Sequence, residues 1–552
     1  MNQDILLFNG KIHTIDENNR IVPCVAIEKG KYVYIGEYDK SVYQKHESYI
    51  KIDLKGKTVL PGFVDAHMHM KHYARSYYGV NLAGYNDVYK YKEILNKYFQ
   101  ENKNAKSIYG SGWLEVLSPK GLLKEDLDEI SKDIPIVLYA DSFHSIWVNS
   151  KTLEIAGINK NTRDIEDGII ERNEEGEPSG TLREKWVDIV MDCLPDYSVE
   201  EYIEAFMSCA SILNSLGIIG IFDACLDADS NAIEAFKELA KEDKLPLYVR
   251  GSYMAYPQKG SQQIDKFVRC REKDKVNENF FINTVKLYED GVVEGKTAYL
   301  LEPYEDNQKE NQNYTSSPLW TQEQLNEIVK EITKNNFQTH IHCIGDAAVS
   351  EVINAFEYAQ KEKGCKQNRN IIAHIELIQE KDYERFKELG LLALLNPYWA
   401  EVDDLYFSNL ERLGIERTKQ TWPINSFMKR NIICGAGSDF PVTDVPNPFN
   451  GIEMGITRTI SKYYHPWAQE YETKKYNFAL GCDSEKASID DMVRMFTQGA
   501  AYTTLMDDIT GSIEIGKNAD FIVLDQDIYN IPHEEITNTK IISTYRKGKK
   551  IY

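Results

Sequence analysis

Hydrophobic positions along this chain come in two rhythms. Near the ends they form short β-type runs broken by turn residues. Residues 5–8, 11–15, 25–28 and 32–35 are such runs, with Asn9-Gly10 and Lys29-Gly30 as turns. The tail repeats this texture at 519–525 and 541–548. Neither end alone has strands enough for a core. Residues 1–60 and 508–552 are therefore expected to pair into one small β-sandwich, since the termini of a domain often lie close.

Between the ends, strand and helix patterns alternate. Eight short apolar segments, at 62–66, 218–223, 247–251, 284–288, 338–342, 371–374, 391–395 and 432–436, lack strict alternation. Parallel strands buried on both faces read this way. Helical stripes lie between them. One begins at Thr321, where Gln324 completes a capping box, and sets Leu325, Ile328, Val329 and Ile332 on one face. Another aligns Val349, Val352, Ile353 and Phe356. The fold class is α/β: a (β/α)8 TIM-like barrel over residues 61–71 and 206–507. The 72–205 stretch after strand one is too long for a loop and predicts an inserted lid or substrate subdomain.

Composition narrows the classes. The 552 residues exceed one ordinary core, so more than one domain is expected. Lys+Arg number 64 against 86 Asp+Glu, a net charge of −22, with no basic stripe. That argues against nucleic acid as the partner. No apolar run approaches the roughly 20 residues of a membrane span, so no membrane partner is expected. The first apolar run is too short for a signal peptide. The nine cysteines are scattered, with Cys225, Cys343 and Cys434 inside apolar strands. This reads as free thiols in a reducing cytoplasm. A homo-oligomer is compatible with the sequence.

The chemistry sits at the strand ends. His67 and His69 follow the apolar run that opens the barrel. Residues i and i+2 of an extended segment point the same way, so two imidazoles leave one strand together. Strand four carries Lys286, strand five ends at His342, strand six at His374, and strand eight at Ser438-Asp439. Active sites of such barrels lie at the C-terminal strand ends. Four of the chain's eleven histidines fall there. Imidazoles with a carboxylate suit a divalent metal, zinc foremost, with Mn²⁺, Fe²⁺ and Ni²⁺ also compatible, as one or two ions. Such an ion acidifies water, and Asp439 is the expected catalytic proton shuttle to the departing amine. His340 is read as a packing histidine turned away from His342. His144, Trp113 and Trp399 are expected substrate contacts.

These stretches carry a resemblance. Leu60-Pro-Gly-Phe-Val-Asp-Ala-His-Met-His69 resembles the signature of the amidohydrolase superfamily. Val285-Lys-Leu-Tyr-Glu-Asp-Gly291, His342-Cys-Ile-Gly-Asp-Ala347 and Gly437-Ser-Asp-Phe-Pro-Val442 resemble its YtcJ-like branch, which includes N-substituted formamide deformylases. The likeness extends to 143–150 and 511–525. It implies His67, His69 and Asp439 as ligands of one metal, and His342 and His374 as ligands of a second. It also implies Lys286 as a bridge after N-carboxylation. One departure is Ala373, where the family often has an acidic residue.

The reading is a metal-dependent hydrolase of a non-peptide carbon–nitrogen bond, acting on a small amide, formamide or N-acyl substrate. Two alternatives stand beside it. A deaminase of this superfamily typically carries His-x-x-Glu after strand five, where this chain has Gly345. A barrel scaffold without catalysis is the other.

Overall fold

The computed structural model describes residues 4–103, 105–114, 117–118, 120–140, 145–165, 168–305, 313–362, 365, 368–459 and 483–552. Residues Met1–Met70 with Met207–Tyr552 form one unit, and Lys71–Phe206 a second.

The first unit holds a barrel of eight parallel strands: β1 (Phe63–Met68), β2 (Ile218–Leu226), β3 (Tyr248–Met254), β4 (Phe280–Tyr288), β5 (Gln338–Cys343), β6 (Ile371–His374), β7 (Leu392–Leu395) and β8 (Cys434–Ala436). Neighbours in sequence are neighbours in the sheet. Just past β8, Asp439 N donates to His67 O and His69 N to Phe440 O, both at 2.7 Å, drawing the first and last strands together. Gly437 permits this approach: a Cβ there would lie 2.5 Å from His67 Cβ. The interior is packed by Val64, Ala66, Ile371, Ala373, Leu392 and Leu394, all buried.

The helices form as their stripes predict. Thr321 caps Gln322–Lys334 in a two-way capping box with Gln324, and Leu325, Ile328, Val329 and Ile332 are buried. Asp346–Lys361 buries Val349, Val352, Ile353 and Phe356. Among the described residues, no helix is long and apolar enough to cross a membrane.

The same unit contains two further sheets. One pairs Lys31–Gly36, Cys24–Glu28, Ile5–Phe8 and Ile50–Asp53. The other joins both chain ends: Phe521–Leu524 pairs with Thr58–Pro61 on one side and Ile541–Arg546 on the other. Ile5, Leu7, Val25, Ile27, Val59, Phe521 and Val523 share one apolar core, so the two sheets pack face to face as a sandwich. Thr58–Pro61 runs on through Gly62 into β1, so the strand that ends in two histidines is rooted in the sandwich.

The second unit has a six-stranded mixed sheet, in the order Gly168–Arg172, Pro178–Glu184, Ser145–Val148, Ile136–Ala140, Ile108–Trp113, Val80–Asn81. Separate apolar clusters cover its faces, one around Leu138 and Trp147, the other around Val137 and Ile146.

Candidate metal centre

Six of the residues singled out in the sequence gather at the C-terminal end of the barrel. His67 and His69 lie on and just after β1, and Asp439 three residues after β8. Their ligand-type atoms all lie within 4.8 Å of one another. Asp439 Oδ1 is 2.9 Å from His69 Nε2 and 3.4 Å from His67 Nε2. The rings of His67 and His374 are 4.7 Å apart, those of His342 and His374 4.5 Å. Lys286 on β4 is fully buried, and its Nζ makes no hydrogen bond among the described residues. It lies 4.6 Å from the centre of the Tyr288 ring.

The backbone is strained where these side chains are presented. His374, Ile375 and Asp439 have φ of 73°, 52° and 61°. Left-handed geometry in a non-glycine residue costs about 1–3 kcal/mol and persists where the surroundings enforce it, commonly at functional sites.

Charge and tautomer suit a cation. Burial holds the His67, His340 and His374 imidazoles well below their ordinary pKa, reinforced by the Lys286 ammonium beside His67 and His340, and at His374 by His342 ahead of Lys286. Burial, then Lys286, pushes His342 down to about 4. Neutral imidazoles keep a lone pair for a metal. Burial also lowers Lys286 to about 8, against the opposing pull of Asp439. A shift of that size leaves about a tenth of the amine uncharged at pH 7, far more than for an ordinary lysine. Three histidines each have one ring nitrogen engaged, His67 Nδ1 by His340 Nε2 at 2.8 Å, His342 Nε2 by Gly291 O at 3.0 Å and His374 Nδ1 by Asn396 Oδ1 at 2.8 Å. The second nitrogen of each is left for a ligand bond, the arrangement expected around a metal. The donor set therefore fits a divalent ion.

Further residues support the ligand set. Asp65, two positions before His67, accepts from Ser438 N at 3.0 Å, Ser438 Oγ at 2.5 Å and His67 N at 3.2 Å, and so ties β1 to the loop after β8. Burial pushes its carboxyl up to about 6. Asp290 accepts from Tyr299 N, Ile344 N and Gly345 N at 2.8–2.9 Å, fastening the loops after β4 and β5. The signal for Asp65 was its place in the Val-Asp-Ala-His run. Asn396 had only its position after β7.

The reading of His340 needs correction. Residues two apart on a strand share a face, so His340 and His342 point the same way. His340 is buried in the barrel, stacked on Phe222 and hydrogen-bonded to His67. Of the expected substrate contacts, Trp399 stacks on His374 with ring centres 5.6 Å apart and an angle of 12°. Trp113 lies in the core of the inserted unit, fully buried, with its indole N–H donating to Leu138 O at 2.8 Å. That side chain is committed to packing. His144 lies outside the described residues.

A parallel barrel with imidazoles and a carboxylate converging at its strand ends is an α/β-barrel with a candidate metal centre. The chain belongs to the amidohydrolase family, which matches residues 51–552. It is 26% identical to YtcJ of Bacillus subtilis (strain 168), over 98% of each chain. It is 22% identical to an N-substituted formamide deformylase of Arthrobacter pascens, over 99% of this chain and 98% of that one. It superposes with a TM-score of 0.75 on a crystal structure of an uncharacterised metal-dependent hydrolase from Pyrococcus furiosus. That match has 25% identity and covers 95% of this chain and 99% of the other.

Proposed function

We propose that this protein is a metal-dependent hydrolase of a non-peptide carbon–nitrogen bond, in a small amide, formamide or N-acyl compound. The convergence of His67, His69 and Asp439 within 4.8 Å carries the reading. The similarity to a formamide deformylase supports the bond type. His67, His69 and Asp439 would hold one ion, zinc foremost. His342 and His374 would hold a second, with Lys286 as the bridge. A divalent ion there supplies Lewis acidity, polarising a carbonyl and lowering the pKa of water toward about 7.

The chain's own residues do the rest. Asp439 takes a proton from the attacking water and delivers it to the nitrogen of the breaking bond, so that a neutral amine departs. Lys286 is prepared by attack of its uncharged amine on CO2, which forms a carbamate and releases one proton. The neutral amine thereby becomes an anion that can ligate. Trp399, stacked on His374, forms a flat apolar wall for the substrate.

The deaminase alternative needs an acid at position 345. A Cβ on Gly345 would lie 1.9 Å from Tyr299 O, so no side chain fits there without moving backbone. The free cysteines of the described residues suit a reducing cytoplasm. Metal analysis of the purified protein, followed by a screen of N-formyl, N-acyl and cyclic amides, tests the proposal. Stoichiometric metal with hydrolysis of one of these classes is expected. Metal-free protein, or ammonia released from a ring substrate in place of amide cleavage, would overturn it.

A further inference from the structure

The end of the barrel away from the histidines holds two arginines that no carboxylate neutralises. Arg250 lies near the start of β3, and Arg546 closes the sandwich strand Ile541–Arg546. Both are buried, at 4% and 9% exposure. An aromatic ring faces each charge. The Arg250 guanidinium is 3.9 Å from the centre of Phe281, and that of Arg546 is 4.1 Å from the centre of Tyr248. Rings hold a guanidinium by its faces and leave its N–H groups, which lie in the plane, for hydrogen bonds.

Those N–H groups are incompletely used. Arg250 donates from Nη1 to Val249 O at 3.1 Å. Arg546 donates to Leu245 O at 3.1 Å and to Asn279 Oδ1 at 2.5 Å, two residues that precede β3 and β4. The Nε of each arginine is buried without a hydrogen-bond partner among the described residues. Every acceptor here is neutral. Of the nearby carboxylates, Glu278 pairs with Lys547 Nζ at 2.6 Å, and Asp520 accepts from Lys547 N at 2.7 Å. Neither makes an ion pair with Arg250 or Arg546 among the described residues. Burial pulls the Arg250 guanidinium down to about 9, against Tyr248 and Glu278, so at neutral pH it remains a cation. A buried charge and an unmade hydrogen bond both cost free energy, and an anion would relieve both at once.

We propose that Arg250 and Arg546 bind a compact monovalent anion, of the size and charge of chloride, where the N-terminal ends of β3 and β4 meet the strand Ile541–Arg546. Tyr248 gathers the two charges into one cluster. It is the first residue of β3, stacks on Arg546, and lies two positions from Arg250, on the same face of the strand. A compact ion suits the site because both Nε groups are shut off from solvent, where a large ligand does not reach. Bound there, the anion would neutralise charge and tie a barrel strand to a sandwich strand. Its effect is therefore on stability, and it stands apart from the metal-centre reading.

The full-length protein, held in sodium gluconate, is titrated with sodium chloride at constant ionic strength while thermal unfolding is followed. A ligand of the folded state raises Tm with its concentration, so Tm should climb by several degrees. Arg250→Met keeps an unbranched stem beside Phe281 without the charge and should abolish that climb. Wild-type crystals soaked in sodium bromide should show anomalous density against Arg250 Nε and Arg546 Nε, a readout that does not depend on the variant folding. No bromide at the two arginines would overturn the inference. So would a chloride response undiminished in Arg250→Met, or a Tm raised by phosphate and not by chloride.

Discussion

The two halves of the barrel mouth hold their ligand-type residues on different terms. At the seam of β1 and β8, two imidazoles meet a carboxylate, and Asp439 lies 2.9 Å from His69 and 3.4 Å from His67. Across β4, β5 and β6, two imidazoles meet a buried amine instead. The carboxylate nearest to His342 there, Asp290 at 3.8 Å, already accepts three backbone N–H groups. The seam thus offers a candidate ligand set for one dication. On the proposed reading, the β4–β6 arc gains its anion only when Lys286 is converted to a carbamate, so one half would be encoded outright and the other would depend on CO2.

That contrast can be broken at the seam first. His67→Ala or His69→Ala should abolish hydrolysis and strip metal, while circular dichroism shows a folded chain. Wild-type turnover in either variant would remove the seam from the chemistry. Asp439→Asn comes next. An amide oxygen still ligates weakly but accepts no proton, so kcat should fall by about 10²–10⁴-fold with part of the metal retained. Unchanged turnover at neutral pH would exclude Asp439 as the proton shuttle.

Lys286→Ala tests the arc. One ion of two should be lost, with partial recovery of metal and activity when a short-chain carboxylic acid is added. The wild-type arc should also load with a pH dependence. Carbamate forms from the uncharged amine, and burial places that amine at about 8. Metal uptake from bicarbonate solution should therefore rise between pH 7 and 9 and fall away below, read as ions bound per chain. Electron density showing an unmodified Lys286 in protein supplied with bicarbonate and metal would leave a single-ion enzyme built on the seam. The smallest effect is expected from Trp399→Ala. Removing one stacked ring costs about 0.5–1.5 kcal/mol, so a few-fold rise in KM with kcat nearly unchanged is the expected reading.

The seam was legible because its signals are local. His-x-His at the end of an apolar run needs only strand periodicity, and the run itself marks β1. The eight barrel strands were found within a few residues of their ends, since strands buried on both faces leave continuous apolar runs. The sandwich followed from turn pairs such as Asn9-Gly10. What the sequence hid was long-range. Asp65 becomes a clasp only when Ser438 arrives beside it, and Asn396 orients His374 from a neighbouring strand. His340 was misread from the two-residue period itself. The inserted unit mixes parallel and antiparallel pairs, and a run such as Ile136–Ala140 does not by itself say which strands it will join. Trp113 illustrates the limit, since an indole in a pocket wall and one in a core have the same sequence signature.

The Asp65–Ser438 clasp spans 373 positions. Ribosomes add roughly 5–20 residues per second, so about 20–75 s separate the synthesis of its two sides. Throughout that interval His67 and His69 exist without Asp439, so the candidate ligand set is incomplete. The root of β1 waits longer still, because Thr58–Pro61 is flanked by Phe521–Leu524. On the proposed reading, this ligand set can hold a metal only after the segment following β8 has been made, so loading would come late in the life of the nascent chain.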